Sequence, residues 1–223
     1  FVIVDGKLTI SKRQVTLTSG SDEKAYDGTA LTKDEVTVSG DGFVAGEGAA
    51  YDVTGSQTNV GSSDNTFTYT LNGNTKAQNY DITPAFGKLT VTASEAEVIV
   101  TIKENSGTEK YDGTEKTVTG YTVESISDPL YTENDFTFSG DATIKGTDAG
   151  SYDMELKATD FTNTNGNFTK VTFVIVDGKL TISKREVTLT SATDSKTYDG
   201  TALTNGTVTV SGDGFAAGEG ATY

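Results

Sequence analysis

The most constraining feature of this sequence is an internal repeat. Residues 1–51 and 173–223 differ at 10 of 51 positions, so the sequence recurs with a period of 172 residues. Self-similarity at a fixed period is typical of an array in which each copy forms the same structural unit. Any fold proposed for this chain must therefore accommodate nearly the same sequence near its start and near its end.

The period itself contains two related modules. The motif Tyr-Asp-Gly-Thr occurs three times, beginning at Tyr26, Tyr111 and Tyr198. Similar segments precede the next module, "FGKLTVT" from Phe86 and "DGKLTIS" from Asp177. The spacing indicates modules of roughly 80–90 residues, a usual size for a small domain. We call the two types A and B.

This pattern predicts four segments. Residues 1–10 correspond to the closing strand of a preceding B-type module, 11–92 to module A, 93–182 to module B, and 183–223 to the first half of a second A module. The first and last segments carry apolar residues without the strands that would cover them. We expect these residues to be exposed, and we expect neighbouring modules of the same polypeptide or other copies of the chain to complete them.

Composition excludes several function classes. The sequence has no Cys and no His, which excludes disulfide frameworks, Cys/His zinc sites and triads that depend on either residue. A net charge of −15 argues against binding to nucleic-acid phosphates or anionic membranes. No apolar run reaches the roughly 18 residues of a membrane-spanning helix. We expect no enzymatic activity and no membrane span in this fragment.

Alternating, β-branched runs predict an all-β protein. The runs begin at Val15, Val36, Thr66, Lys88, Val98, Phe136 and Lys170, and Asn-Gly or Asp-Gly turns separate many of them. We predict tandem Ig-like β-sandwich modules in an elongated array, with the closing strand of each module near its first strand. The alternative is a β-grasp-like module with one helix. The only helical signal is a single turn around residues 75–79.

The junctions between modules predict a stiff array. From Ile10 to Val15, and again from Val91 to Val98, the buried side of the strand changes, which indicates that one core ends and another begins. The connection is about four residues long and contains no flexible linker. We expect modules to follow head to tail, each roughly 35 Å long.

The only two arginines, Arg13 and Arg185, lie at the B-to-A junction. A guanidinium at this position is suited to binding carboxylates or carbonyls of the preceding module. The alternative is that both are solvated surface residues.

The Tyr-Asp-Gly-Thr motif is interpreted as structural. Asp can accept a hydrogen bond from the backbone two residues later, Gly supplies a positive φ, and no base lies nearby to activate Tyr or Asp. We expect Tyr26, Tyr111 and Tyr198 to be largely buried, with hydrogen-bonded hydroxyl groups.

No catalytic, cofactor-binding or metal-ligating residue is predicted. The acidic turns "SGDG" at Ser39 and Ser211 and "KGTDAGSYD" at Lys145 carry oxygen ligands for calcium, but they lack the spacing of a calcium loop. Five tyrosines are candidate sugar-stacking platforms, although their alternating or turn-flanking positions favour core or edge packing: Tyr51, Tyr69, Tyr121, Tyr131 and Tyr152.

The order of motifs resembles the YDG/MBG-type tandem repeats of bacterial cell-surface adhesins. The shared motifs are "YDGT", the pairs Val60-Gly61 and Ala149-Gly150, "NYDI" from Asn79 and the final "GKLTV". The resemblance implies an extracellular location, on a bacterial surface or secreted, and a stalk or fibre segment that projects or assembles there. The alternative is a repeated low-affinity module that binds host glycans or mucins by avidity.

Overall fold

The structure is a computed structural model that describes all 223 residues, and it is all-β. It contains twenty strands, three single-turn 3-10 helices and no α-helix. The abundance of Thr and Val explains this preference, because β-branched side chains fit a pleated surface. The all-β prediction is confirmed, and the alternative with one helix is wrong. The chain divides into two compact units, residues 1–97 with 165–170, and residues 98–164 with 171–223.

The first unit is built from eight strands and one 3-10 turn. The turn, Ala77–Asn79, lies where the single helical turn was predicted. The strands are β1 (Arg13–Ser19), β2 (Asp22–Ala25), β3 (Val36–Gly40), β4 (Ala49–Val53), β5 (Gly61–Asp64), β6 (Phe67–Leu71), β7 (Tyr80–Ala85) and β8 (Lys88–Thr92).

Two parallel strand pairs organise this unit. Strand β1 pairs in parallel with β7 and antiparallel with β3, while β2 pairs in parallel with β8, which is antiparallel to β5. The chain passes from the first sheet to the second at two places, from β1 to β2 and from β7 to β8. These two passages lie side by side, because β1 pairs with β7 and β2 pairs with β8. The closing strand β8 thus lies beside β2, the continuation of the first strand, as predicted. Strands β4 and β6 form a separate antiparallel pair.

Each sheet of the first unit covers its own core. Val15, Leu17, Phe67 and Tyr80 are buried together between the sheet β3-β1-β7 and the pair β4-β6. Leu31, Leu89 and Val91 form a second cluster on the sheet β2-β8-β5. The arrangement is sandwich-like, because alternate residues of each strand face a shared interior.

The backbone between β1 and β2 lies very close to the backbone between β7 and β8, where both connections pass from one sheet to the other. A Cβ atom on Gly87 would lie 2.4 Å from the carbonyl oxygen of Gly20, so only glycine fits. The Ser19 hydroxyl accepts a hydrogen bond from the Gly87 amide at 3.0 Å. The Asn65 side chain, fully buried, donates to the carbonyls of Gly20 and Lys33 at 2.9 and 2.8 Å. These side chains satisfy backbone groups that the sheets leave unpaired.

The second unit repeats this topology. Its sheets have the orders β12-β9-β17 and β10-β18-β15, and β13 pairs with β16. The extra pair β11-β14 stands where the first unit has only the isolated bridge between Leu31 and Gln57. The strands are β9 (Ser94–Glu104), β10 (Gly107–Lys110), β11 (Lys116–Thr119), β12 (Tyr121–Ile126), β13 (Phe136–Phe138), β14 (Thr143–Gly146), β15 (Gly150–Asp153), β16 (Phe161–Asn163), β17 (Phe168–Val176), β18 (Lys179–Ser183), β19 (Val187–Ser191) and β20 (Val208–Gly212); the 3-10 turns are Glu133–Asp135 and Ala158–Asp160.

In the second unit, a buried carboxylate lies where the chain passes from one sheet to the other. Glu104 stands where the first unit has Ser19, and its side chain is 2% exposed. Its two oxygens accept hydrogen bonds from the amides of Leu156 at 2.7 Å and Gly178 at 2.6 Å. A Cβ on Gly178 would lie 2.4 Å from the carbonyl oxygen of Asn105. The same backbone crossing is therefore stabilised by different side chains in the two units.

Identical sequences at the two ends of the period show how burial depends on neighbouring strands. Leu180 is fully buried in β18, whereas Leu8, its counterpart in the segment 1–10, is fully exposed and lies in no strand. Leu17 is fully buried, whereas its counterpart Leu189 is 44% exposed in the two-stranded sheet β19-β20. The predicted exposure is confirmed for residues 1–10. The last segment is exposed only in part, since Leu189 and Val210 are exposed whereas Ala216 is buried.

Replacement of Glu104 by Gln is expected to destabilise the second unit by about 1–3 kcal/mol, since one buried amide then faces an NH2 group in place of an acceptor. The matched control is Glu109→Gln, the same chemical change on the exposed surface of β10. Urea unfolding monitored by tyrosine fluorescence measures both. Equal midpoints for the two variants would contradict the assigned role of Glu104.

Candidate functional site

The Tyr-Asp-Gly-Thr turn has the same internal geometry in its three copies. The Asp27 carboxylate accepts hydrogen bonds from the Thr29 amide at 2.9 Å and the Thr29 hydroxyl at 2.7 Å. Gly28 has a φ of 78°, in the left-handed region that favours glycine. The same bonds join Asp112 to Thr114 and Asp199 to Thr201. The predicted roles of Asp and Gly are confirmed.

A lysine binds the turn from a different position in each module type. In the A-type turns, Lys24 contacts Asp27 at 2.7 Å and Lys196 contacts Asp199 at 2.9 Å. In the B-type turn, the lysine that contacts Asp112 is Lys116, which follows the motif. The lysine that precedes the B-type tyrosine, Lys110, therefore remains available for a contact outside the turn.

The lysine contacts also set the ionisation of these carboxyl groups. The hydrogen bond from Lys24, followed by those from Thr29, holds the pKa of Asp27 well below its usual range. The hydrogen bond from Lys116, followed by those from Thr114, does the same for the pKa of Asp112. Both groups are therefore ionised across the physiological pH range, as the turn requires.

The prediction that all three tyrosines of the motif are largely buried is wrong. Tyr26 packs against the core cluster of Leu31, Leu89 and Val91, but its ring is only partly covered. Tyr26 and Tyr111 are half-buried, and Tyr198 is 92% exposed. The physical reason is their position: each ring lies at the edge of its module, so covering it requires residues from a segment outside that module. Tyr198 has no such segment against it.

In the first unit, the segment 165–170 covers Tyr26. The Phe168 ring meets the Tyr26 ring edge-to-face, with centroids 5.5 Å apart and planes at 80°. Asn167 fixes this segment, because its side-chain oxygen accepts a hydrogen bond from the Val60 amide at 2.8 Å and its carbonyl accepts one from Ser94. The Val60-Gly61 pair, recognised in sequence only as a motif, thus helps to hold the cover of Tyr26.

In the second unit, residues after Arg185 cover Tyr111. The Tyr111 hydroxyl donates a hydrogen bond to the Glu219 carboxylate, and Lys110 forms an ion pair with Asp213 at 2.6 Å. These contacts, together with burial, raise the pKa of Tyr111, chiefly through Glu219, and lower that of Asp213 through Lys110. Sequence reasoning missed this contact, because nothing local links Tyr111 to a residue 108 positions later.

Both arginines bind the Ser-Gly-Asp-Gly turn of their own copy. Arg13 Nε donates to the Gly42 carbonyl at 2.9 Å, and Arg185 Nε donates to the Gly214 carbonyl at 2.7 Å. Arg185 Nη1 also donates to the Tyr111 carbonyl at 3.3 Å. The expected binding of carbonyls of the preceding module is confirmed for Arg185, and the solvated alternative is wrong for both, since both are half-buried and hydrogen-bonded.

The turns considered for calcium have other contacts in the structure. In the turn from Ser39, Asp41 Oδ2 accepts a hydrogen bond from the Gln14 amide at 2.9 Å. In the turn from Lys145, the Asp148 carbonyl accepts one from the Tyr152 hydroxyl at 2.9 Å. No group of three or more acidic side chains converges on a common point.

The five tyrosines considered as sugar platforms do not share one exposed face. Tyr131 is 2% exposed, and burial raises its pKa to about 12. Tyr51 packs against the core of the first unit, and the ring of Tyr121 lies 5.2 Å from that of Phe161. Of the other two, Tyr152 is half-buried and Tyr69 is 37% exposed. Core and edge packing, the role favoured from sequence, describes most of them.

Part of the chain is similar to a known protein family. Residues 96–184 match the family model of the MBG domain. The resemblance noted in sequence is thus confirmed for this segment, and the MBG domain is a module of the surface-protein type. The chain has no significant match among the curated proteins or the solved structures. None of its helices has the length and apolar character needed to cross a membrane.

The lysine contact predicts an unusual acid titration. Because the pKa of Asp27 is lowered on folding, the contribution of its turn is complete above the ordinary carboxyl pKa and is lost only as the pH falls toward the lower folded value. Carboxyl carbon NMR should show Asp27 titrating well below the ordinary range of an aspartate carboxyl group. Lys24→Met is expected to move the Asp27 pKa back toward its ordinary value, while Lys7→Met leaves it unchanged. An Asp27 that titrates in the ordinary carboxyl range would contradict the assignment.

Proposed function

We propose that this chain is a structural segment of a bacterial surface adhesin or extracellular filament, in which A and B modules are joined head to tail as a stiff stalk. The observation that carries the proposal is the pair of covered tyrosines. Tyr26 contacts Phe168, and Tyr111 contacts Glu219, so each lies against residues from outside its own module. The match of residues 96–184 to a surface-protein module supports the same role.

The chemistry of these contacts suits a joint better than a binding site. Aromatic edge contact, an ion pair and arginine-to-carbonyl hydrogen bonds each fix orientation, and several together resist bending more than a flexible linker does. The connections between modules are short, because one residue separates β8 from β9 and three separate β18 from β19. Such connections leave little slack. A net charge of −15 favours mutual repulsion between neighbouring stalks and therefore solubility in a dense surface layer.

Small-angle X-ray scattering tests the stalk directly. One chain is the present sequence, and a second carries one additional 172-residue period. If modules follow one another along an axis, the maximum dimension should increase by about 70 Å, the length of two modules of roughly 35 Å each.

A second measurement separates the stalk from a glycan-binding module. The scattering samples are applied to a panel of immobilised mucin-type glycans. A constant maximum dimension would contradict the stalk, and glycan binding that strengthens steeply with the added period would favour the binding module.

A further inference from the structure

The first unit carries a surface that matches the site occupied by Tyr111 in the second unit. We define the A-type socket as Arg13, Asp41, Val44 and Glu47, which correspond at the 172-residue period to Arg185, Asp213, Ala216 and Glu219. Three of these four residues are identical in the two copies. Arg13, Val44 and Glu47 line a cavity of about 340 Å³ that Tyr80 also lines.

The backbone of the two sites has the same conformation. Gly42 and Gly214 have φ values of 66° and 67°, and Gly46 and Gly218 have values of 84° and 82°. In both copies the arginine Nε donates to the carbonyl of the second glycine of the Ser-Gly-Asp-Gly turn. The aspartate Oδ2 accepts from the backbone amide that follows the arginine, at 2.9 Å in each copy. The socket is therefore formed before anything binds to it.

Three polar groups of the socket lack the partners that their counterparts have. In the occupied copy, Arg185 Nη1 binds the Tyr111 carbonyl, Asp213 Oδ1 binds Lys110, and Glu219 Oε1 binds the Tyr111 hydroxyl. The corresponding atoms of Arg13, Asp41 and Glu47 make no hydrogen bond within the chain. The socket therefore offers two carboxylate oxygens as acceptors and one guanidinium nitrogen as a donor, the same groups that bind Lys110 and Tyr111 in the occupied copy.

Tyr80 leaves one carboxylate oxygen of Glu47 free. The Tyr80 hydroxyl donates to Glu47 Oε2 and accepts from the Val44 amide at 3.1 Å. Because Oε1 of Glu47 makes no hydrogen bond, a second tyrosine hydroxyl can bind Glu47 without displacing Tyr80. The carboxylate would then accept one hydrogen bond on each oxygen, which is within its capacity.

The socket also has room for its occupant. A Cβ placed on Gly113, in the bound turn, would lie 3.9 Å from the Cβ of Ala216, an ordinary van der Waals distance. Since Gly113 has no Cβ, this space can receive a methyl group of Val44. Val44 is 48% exposed, whereas Ala216 under the bound turn is 5% exposed. Docking of the same turn would therefore cover an apolar side chain in the first unit as well.

We propose that the A-type socket binds the Lys-Tyr-Asp-Gly-Thr turn of a B-type module joined ahead of residue 1. The lysine directly before the tyrosine identifies the B-type turn, because the A-type turns use their lysine internally. Residues 1–10 are identical to 173–182, the segment that leads from module B into the occupied site, so a B-type module attached there approaches by the same path. This inference rests on the proposed head-to-tail stalk and names the contact that sets the order of modules.

The arginines provide a specific test. The chain has only two, and an added copy of residues 93–172 contains none, so a chain extended by this copy ahead of Phe1 still gives two arginine side-chain NMR signals. Arg13→Lys and Arg185→Lys assign them. In the extended chain, the Arg13 signals should shift toward those of Arg185, and exchange of the Arg13 side-chain protons should slow about tenfold, the factor for one ordinary added hydrogen bond.

The matched control is the same extended chain with Ala in place of the Lys and Tyr of the added turn. There, the Arg13 signals should stay where they are in the unextended chain, while those of Arg185 report an unchanged reference site. Arg13 signals that do not respond to the unaltered added module would overturn the proposal. Scattering of the same sample separates the two ideas: an increase in length with unresponsive Arg13 rejects the socket and leaves the stalk standing.

Discussion

The close approach of two parallel chain segments organises both units of this protein. In each module, the first strand and the last strand each lead from one sheet to the other, and they do so side by side. Glycine is needed at this place because a side chain would collide with a backbone carbonyl. Gly87 and Gly178 meet this steric requirement, with a Cβ on either one lying 2.4 Å from a backbone oxygen. The crossing places the closing strand beside the continuation of the first strand. It thereby positions the Tyr-Asp-Gly-Thr turn, which follows that continuation, at the edge of the module.

The crossing also places backbone amides and carbonyls in the buried interior, and the two modules satisfy their hydrogen bonds differently. Module A uses Ser19 with Asn65, and module B uses the buried carboxylate of Glu104. Both solutions provide hydrogen-bond partners within reach of the glycine amide, and leaving that amide unpaired costs more than either arrangement. The two modules have diverged in side chains while keeping one backbone path.

Local patterns in the sequence predicted the parts of the structure that local physics determines. Alternating β-branched residues located the strands, and the Asp-Gly pair located a turn whose Asp accepts from the Thr two residues later. Burial of Tyr26, Tyr111 and Tyr198 was predicted wrongly because an aromatic ring beside a turn carries no local sign of what covers it. The cover of Tyr26 and Tyr111 comes from residues far along the chain. The identical pair Leu8 and Leu180, one fully exposed and one fully buried, makes the same point.

The central claim is that the motif tyrosine joins one module to the next through a specific contact. A double-mutant cycle on Tyr111→Phe and Glu219→Gln, followed by urea unfolding of the second unit, measures that contact directly. The account predicts that each single variant lowers stability and that the second substitution has little further effect once the first is made. Equivalent substitutions at the exposed Tyr198 should change nothing. Fully additive effects at Tyr111 and Glu219 would contradict the account.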